Sequence, residues 1–155
     1  MNGSSIELHE SIAVAPAAAR ESLGRVLHAL ASANAGPTLD VSLRELHTPS
    51  AGSVEIPVAI GVQDHAAKLQ YTLDLRATSK GLFPTFEGML SLNPLGKSCE
   101  LWLQGIYQPP FGIIGTLLDQ TLLRGVAKRS LQRMLARISD DIFRDAREHY
   151  GLRNL

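Results

Sequence analysis

The sequence predicts an α+β domain: a curved antiparallel sheet of six strands closed by one long C-terminal helix, in the order β-α-β-β-β-β-β-α. Three observations carry this. Apolar residues alternate with period two over 5–14 and again in five segments between 39 and 107. The later links are short and turn-rich, which favours hairpins over the long crossovers that parallel strands need. An amphipathic stretch then runs from about residue 113 to 149. A curved sheet followed by a single long helix leaves a gap between the two, a natural place for an apolar ligand.

Taken in order, Ile6, Leu8, Ile12 and Val14 mark the first strand, and Glu10 lies in phase with them. Pro16 opens a helix, where its fixed φ and missing donor cost nothing. Ala19, Leu23, Val26, Leu27 and Leu30 recur at helical spacing, and residues 34–37 stop the helix. Leu39, Val41 and Leu43 mark the second strand. Val54, Ile56, Val58, Ile60 and Val62 mark the third, where Pro57 suggests an edge or bulge. The fourth carries Leu69, Tyr71, Leu73 and Leu75 on one face, with Gln70, Thr72, Asp74 and Arg76 on the other. Phe86, Gly88, Leu90 and Leu92 mark the fifth, and Leu101, Leu103, Gly105 and Tyr107 the last. Links are expected at 49–53, 63–67 and 93–98.

The final helix carries two apolar stripes. Ile114, Leu117, Leu118, Leu122 and Val126 share one face. Leu131, Met134, Leu135, Ile138 and Ile142 share another, rotated by roughly 100°. Gly125 sits near the changeover, so either the helix bends there or its halves pack on different surfaces. A helical glycine costs about 1 kcal/mol relative to alanine; close approach to a sheet or a ligand would offset that, and a merely tolerated glycine is the alternative.

Bulk properties exclude several classes. A chain of 155 residues with 45% hydrophobic content is one domain with a real core, not a disordered segment. Lysine plus arginine and aspartate plus glutamate balance at 15 each, so no global field recruits nucleic acid or anionic lipid. A lone Cys99 excludes an internal disulfide and fits a reducing compartment. With no signal-peptide pattern and no apolar run of transmembrane length, a soluble cytoplasmic protein without stable membrane insertion is expected.

Element order and one segment together carry a family resemblance. Strand, helix, five strands and long helix is the order of the helix-grip fold. The segment Leu101-Trp102-Leu103-Gln104-Gly105-Ile106-Tyr107-Gln108-Pro109-Pro110-Phe111-Gly112 resembles the corresponding stretch of bacterial START-like (SRPBCC-type) proteins. That superfamily includes the birch pollen allergen group and aromatic polyketide cyclases. The resemblance in order covers nearly the whole chain; the residue-level likeness covers about 101–138 and is structural rather than catalytic. It implies a sheet wrapped around the last helix, enclosing a cavity for hydrophobic small molecules. One departure is that a single short helix fits between the first two strands, where many members have a pair.

Candidate chemistry is sparse. Glu10 points inward if its strand is regular, where it would bind a ligand hydroxyl or act as a general base; a sheet-end residue reaching water is the alternative. Glu45 and His47 continue the parity of Leu39, Val41 and Leu43, but Leu46 is then out of phase, and a solvated strand end fits equally. Tyr107 would pack its ring in the core while its hydroxyl seeks a partner. Trp102 shares the opposite parity with Glu100 and Gln104, on the outer face, under a loop or at a subunit contact. Arg124, Lys128, Arg129, Arg133 and Arg137 have no acid between Asp119 and Asp140. Arg129, Arg133 and Arg137 lie opposite the apolar stripe, so a solvated face is expected rather than a nucleic-acid site. His9, His28, His47, His65 and His149 are scattered without metal-ligand spacing, and no nucleophile elbow, phosphate loop or dinucleotide fingerprint occurs. No cofactor is implied. Cys99 shares the parity of Leu101 and Leu103, as a buried structural thiol would.

The expected ligand-lining positions are Leu8, Glu10, Val41, Leu43, Leu73, Leu90, Leu103, Tyr107, Leu118, Leu122 and Gly125. The leading expectation is non-covalent binding of a lipid, polyketide-like aromatic or isoprenoid by a monomer or weak homodimer. The alternatives are a cyclase or aromatase using Glu10, His47 or Tyr107 as acid–base groups, or an interaction module whose cavity is filled by its own side chains.

Overall fold

The computed structural model describes residues 3–32, 38–42, 53–65, 70–77, 85–108 and 120–151. Strand β1 (Ser4–Ile12) is followed by helix α1 (Pro16–Ser32), then β2 (Thr38–Ser42), β3 (Ser53–His65), β4 (Gln70–Ala77), β5 (Thr85–Leu95), β6 (Ser98–Gln108) and helix α2 (Gln120–Tyr150). The strands hydrogen-bond in the order β1-β6-β5-β4-β3-β2, and every pairing is antiparallel. Among the described residues, α1 alone stands between β1 and β2.

Local chemistry sets the element ends. The Ala15 carbonyl accepts the first α1 bond from the Ala19 amide at 2.9 Å, with Pro16 at the first helical position. Gly151 terminates α2 with φ 53°, its amide donating to the Arg147 carbonyl at 3.2 Å, a left-handed cap that favours glycine. β5 and β6 run longer than the expected 93–98 link allowed. Leu95 pairs with Ser98 across the two-residue turn Gly96-Lys97, with Gly96 at φ 64°. Among the described residues β4 pairs with β5 only as far as Ser91, so the missing amide of Pro94 faces no described partner strand. β3 likewise extends to His65. Its residues 53–57 pair with β2 and 58–65 with β4, so Pro57 stands where the partner changes.

The sheet has one apolar face and one polar face, as the alternation predicts. Leu8 and Ile12 pair with Leu103 and Cys99, and Ile6, Leu101, Leu90, Leu92, Leu73 and Leu75 share their face; all are buried. Helix α1 contributes Ala19, Leu23, Val26 and Leu27 to the same core, and α2 contributes Leu131, Met134, Leu135, Ile138, Ile142 and Ala146. Each large side chain here is worth about 1.5–3 kcal/mol of burial. Helix α2 touches β1 and β2, the two ends of the strand order, which is possible only if the sheet curves around it.

Polar bonds set how α2 lies on the sheet. Arg124 Nη2 donates to the Ser5 carbonyl at 3.0 Å, and Gln132 Nε2 to the His9 carbonyl at 3.4 Å. Two helical turns rise about 12 Å and four strand residues about 13 Å, so the two repeats match and α2 runs alongside β1 in the same direction. The start of α2 therefore lies near Ser4, which pairs with Tyr107. The helix is continuous through Gly125. Val126 is buried but stands outside the main core cluster that takes in Leu131 and Met134, so it packs on different surroundings from the second stripe. The expected segment 113–119, with Ile114, Leu117 and Leu118, lies outside the described residues.

Candidate functional site

The inner face divides into two zones. The row Leu8, Leu103, Leu90 and Tyr71 is packed solid, with Leu103 and Leu90 both 0% exposed; Leu73, also buried, stands opposite Gly88. Side chains so closed to a water-sized probe face one another, not a void. At the Tyr107 end the floor is different. Gly88 and Gly105 pair directly, and the Phe86 ring lies across both: its Cζ would stand 2.5 Å from a Cβ built on either glycine. Backbone crowds the same spot, with the Glu87 carbonyl 2.5 Å from a Gly105 Cβ and the Gln104 carbonyl 2.6 Å from a Gly88 Cβ. Only glycine permits this approach, and the aromatic ring covers the gap it leaves.

Tyr107 sits beside this saddle, between Phe86 and Ser4 in the ladder, and is 4% exposed. Burial alone pushes its phenol up to about 12. Among the described residues, its hydroxyl has no hydrogen-bond partner, and it is not one of the sealed polar atoms. Gly125 is half-buried, and among the described residues no atom lies within 4 Å of where its Cβ would stand. Thus no close contact with a described sheet residue explains this glycine.

Glu10 occupies an inner-face register position opposite Leu101 and is half-buried. Its Oε2 accepts from Gln132 Nε2 at 3.0 Å. Gln132 was not singled out from the sequence, because its role depends on where α2 lies against β1. Glu10 and Tyr107 do not converge: their register partners place them six residues apart along β6, about 20 Å. Val41 pairs with Val54 in β2 and Leu122 falls in α2, but their side chains lie outside the described residues. So do Leu43, Glu45, His47 and Leu118 altogether.

A second buried phenol lies under α1. Tyr71 on β4 places its hydroxyl 3.6 Å from a Cβ built on Gly24, and burial raises its pKa, with Asp64 adding to the effect and Arg20 opposing it. Cys99 is buried, its thiol directed at the Val14 carbonyl at 3.4 Å and pushed up by burial, as expected of a structural cysteine. The arginine face needs one correction. Arg129 and Arg137 are exposed, but Arg133 is half-buried with its Nε shielded from solvent, because α2 is flanked on both sides by the curved sheet.

The outer face holds a polar cluster. Glu7 Oε1 accepts from His9 Nε2 at 3.1 Å and from Trp102 Nε1 at 3.2 Å, and the His9 and Trp102 rings stack at 5.2 Å. The His9 bond, then those of Gln104 and Trp102, hold the Glu7 carboxyl below its usual range. Trp102 is therefore an outer-face residue tied to β1. A shallow hollow of about 320 Å³ on the same face is lined by Gly61, Gln63, Thr72, Asp74 and Glu87. Among the described residues no group of His, Cys, Asp and Glu is placed to hold a metal ion, and no helix is long and apolar enough to cross a membrane.

No family model and no curated protein matches the sequence. Solved structures do match the fold. The Zhui aromatase/cyclase from Streptomyces sp. R1128 aligns over 97% of this chain and 99% of its own, at 13% identity and a TM-score of 0.57. A START superfamily protein from Mycobacterium smegmatis aligns over 91% and 97%, at 16% identity and a TM-score of 0.51. Norcoclaurine synthase from Thalictrum flavum, in complex with dopamine and hydroxybenzaldehyde, aligns over 96% and 88%, at 14% identity and a TM-score of 0.53. With its curved antiparallel sheet closed by α2, this chain has the helix-grip fold of the START-like proteins.

Proposed function

We propose that the protein binds a hydrophobic small molecule non-covalently between the inner sheet face and the first turns of α2, at the Tyr107 end of the sheet. The observation that carries this reading is Tyr107 itself: a phenol 4% exposed whose hydroxyl has no partner among the described residues. A buried polar group left unpaired costs free energy, and a ligand that bonds it recovers that cost. Apolar burial would supply the remainder at about 25 cal/mol per Å². Leu8, Leu73, Leu90 and Leu103 then form the packed wall below the ligand rather than its direct lining. Lipids, polyketide-like aromatics and isoprenoids are the classes in view, in line with the neighbours of known fold.

A cyclase-type reading draws support from the aromatase/cyclase neighbour alone. The separation of Glu10 from Tyr107 counts against those two acting as an acid–base pair. Denaturing extraction of the purified protein, followed by mass spectrometry, tests the binding reading. A stoichiometric apolar molecule is the expected result. An empty extract, together with no uptake of hydrophobic fluorescent probes, would remove it.

A further inference from the structure

The surroundings of Tyr107 specify more than apolarity, given the binding reading above on which this inference rests. Its inner-face neighbours by register are Ser4, Ile6, Leu75, Phe86, Gly88 and Gly105. None carries a charge, and Ser4 alone among them has a side-chain polar atom. Arg124 is exposed and commits Nη2 to the Ser5 carbonyl at the edge of β1. Glu10 is at the far end of the same face, bonded to Gln132. A ligand atom that reaches the Tyr107 hydroxyl therefore meets one neutral donor in a setting that is desolvated and, among the described residues, uncharged. Such a setting penalises a carboxylate, which would be stripped of water with no cation among the described residues to pair it. It equally penalises a hydrocarbon, which leaves the hydroxyl unsatisfied.

We propose that the Tyr107 hydroxyl is a specificity-determining group that selects ligands bearing a neutral oxygen acceptor, a ketone, ester or ether, at the end of an otherwise apolar body. A phenol is protonated at neutral pH, and burial pushes this one further from ionising, so it donates to that oxygen.

The test uses three probes of one shape on the full chain: 2-acetylnaphthalene, 2-isopropenylnaphthalene and 2-naphthoate, measured by equilibrium dialysis. The ketone is expected to bind about tenfold tighter than the hydrocarbon, the worth of one net hydrogen bond in a dry site. In Tyr107→Phe that preference should vanish, ketone affinity falling and hydrocarbon affinity rising because no hydroxyl is left unsatisfied. The infrared carbonyl stretch of the bound ketone should shift to lower frequency with the native protein and not with the variant. The native-protein arms decide the matter even if the variant folds poorly. Equal binding of ketone and hydrocarbon, or a preference that survives Tyr107→Phe, overturns the selectivity and leaves the hollow intact. Tightest binding of naphthoate overturns the neutrality. No binding of any probe removes the hollow and this proposal with it.

Discussion

Arg25 in α1 and Asp145 in α2 meet as a forked ion pair across 120 residues of sequence: Arg25 Nη2 donates to Asp145 Oδ2 at 2.7 Å and Nε donates to the same oxygen at 3.0 Å. The pair is the centre of a clamp between the helices. Arg25 Nη2 also donates to the buried Ser22 hydroxyl, the guanidinium lies 5.9 Å over the Tyr150 ring, and the Tyr150 hydroxyl donates to Glu21. His149 Nδ1 stands 2.9 Å from the Asp145 carbonyl. The C-terminal turns of α2 are thus held by charge where the N-terminal turns are held by single bonds to β1.

This clamp carries a pH signature. The hydrogen bond from Arg25 holds the Asp145 carboxyl below its usual range. A depressed folded pKa gives stability that is present above the unfolded value and lost as pH falls through the folded one. In urea unfolding, wild type should exceed Asp145→Asn near neutral pH, and the gap should shrink below about pH 4. A gap that is independent of pH would mean the two variants differ by packing alone. Because Arg25 is 38% and Asp145 19% exposed, added salt should narrow the gap too.

The glycine saddle should tolerate no side chain. Gly88→Ala or Gly105→Ala places a Cβ 2.5–2.6 Å from backbone oxygen and the Phe86 ring. Strand β5 or β6 must move, at a cost of ~1–3 kcal/mol or more. By contrast, Gly125→Ala meets no described atom and should raise stability by about 1 kcal/mol through helix propensity. Thermal melts of the three variants check both signs.

Leu103 and Tyr107 lie on one face of β6 and should respond differently to truncation. Leu103→Ala opens a cavity in packed core and should cost about 2–5 kcal/mol. Tyr107→Phe removes a hydroxyl that has no described partner, so stability should hold or rise slightly near pH 7. At high pH the phenol matters. Its folded pKa of about 12 lies above the ordinary value, so the fold favours the neutral form. Native stability should then decline as pH rises above about 10, by up to about 1.4 kcal/mol per unit, more steeply than in Tyr107→Phe.

Cys99 should be silent in the folded protein. Its thiol is 0% exposed and burial raises its pKa, which suppresses the thiolate. An aromatic disulfide reagent should label it at the rate of global unfolding, and in full in denaturant. Rapid labelling in native buffer would place the β6 start outside the core.

The facing of the strands was legible in sequence because side-chain parity is a local property of extended chain. Leu73, Leu90, Leu103 and Tyr107 fall inward, and Gln70, Thr72 and Trp102 outward, by alternation alone. Pro16 as a helix start, Cys99 as a buried thiol and the amphipathic α2 belong with them, since each depends on neighbours within a turn or two. Tertiary structure decided the rest. Parity could not separate packed Leu103 from unpartnered Tyr107, four residues on, because that difference arises from the Gly88–Gly105 saddle and from where α2 begins. Nor could it supply Gln132 as the partner of Glu10, Arg133 as a half-buried cation, or Asp145 as the partner of Arg25. Those pairings join elements about a hundred residues apart, and sheet curvature, which no single strand encodes, brings them together.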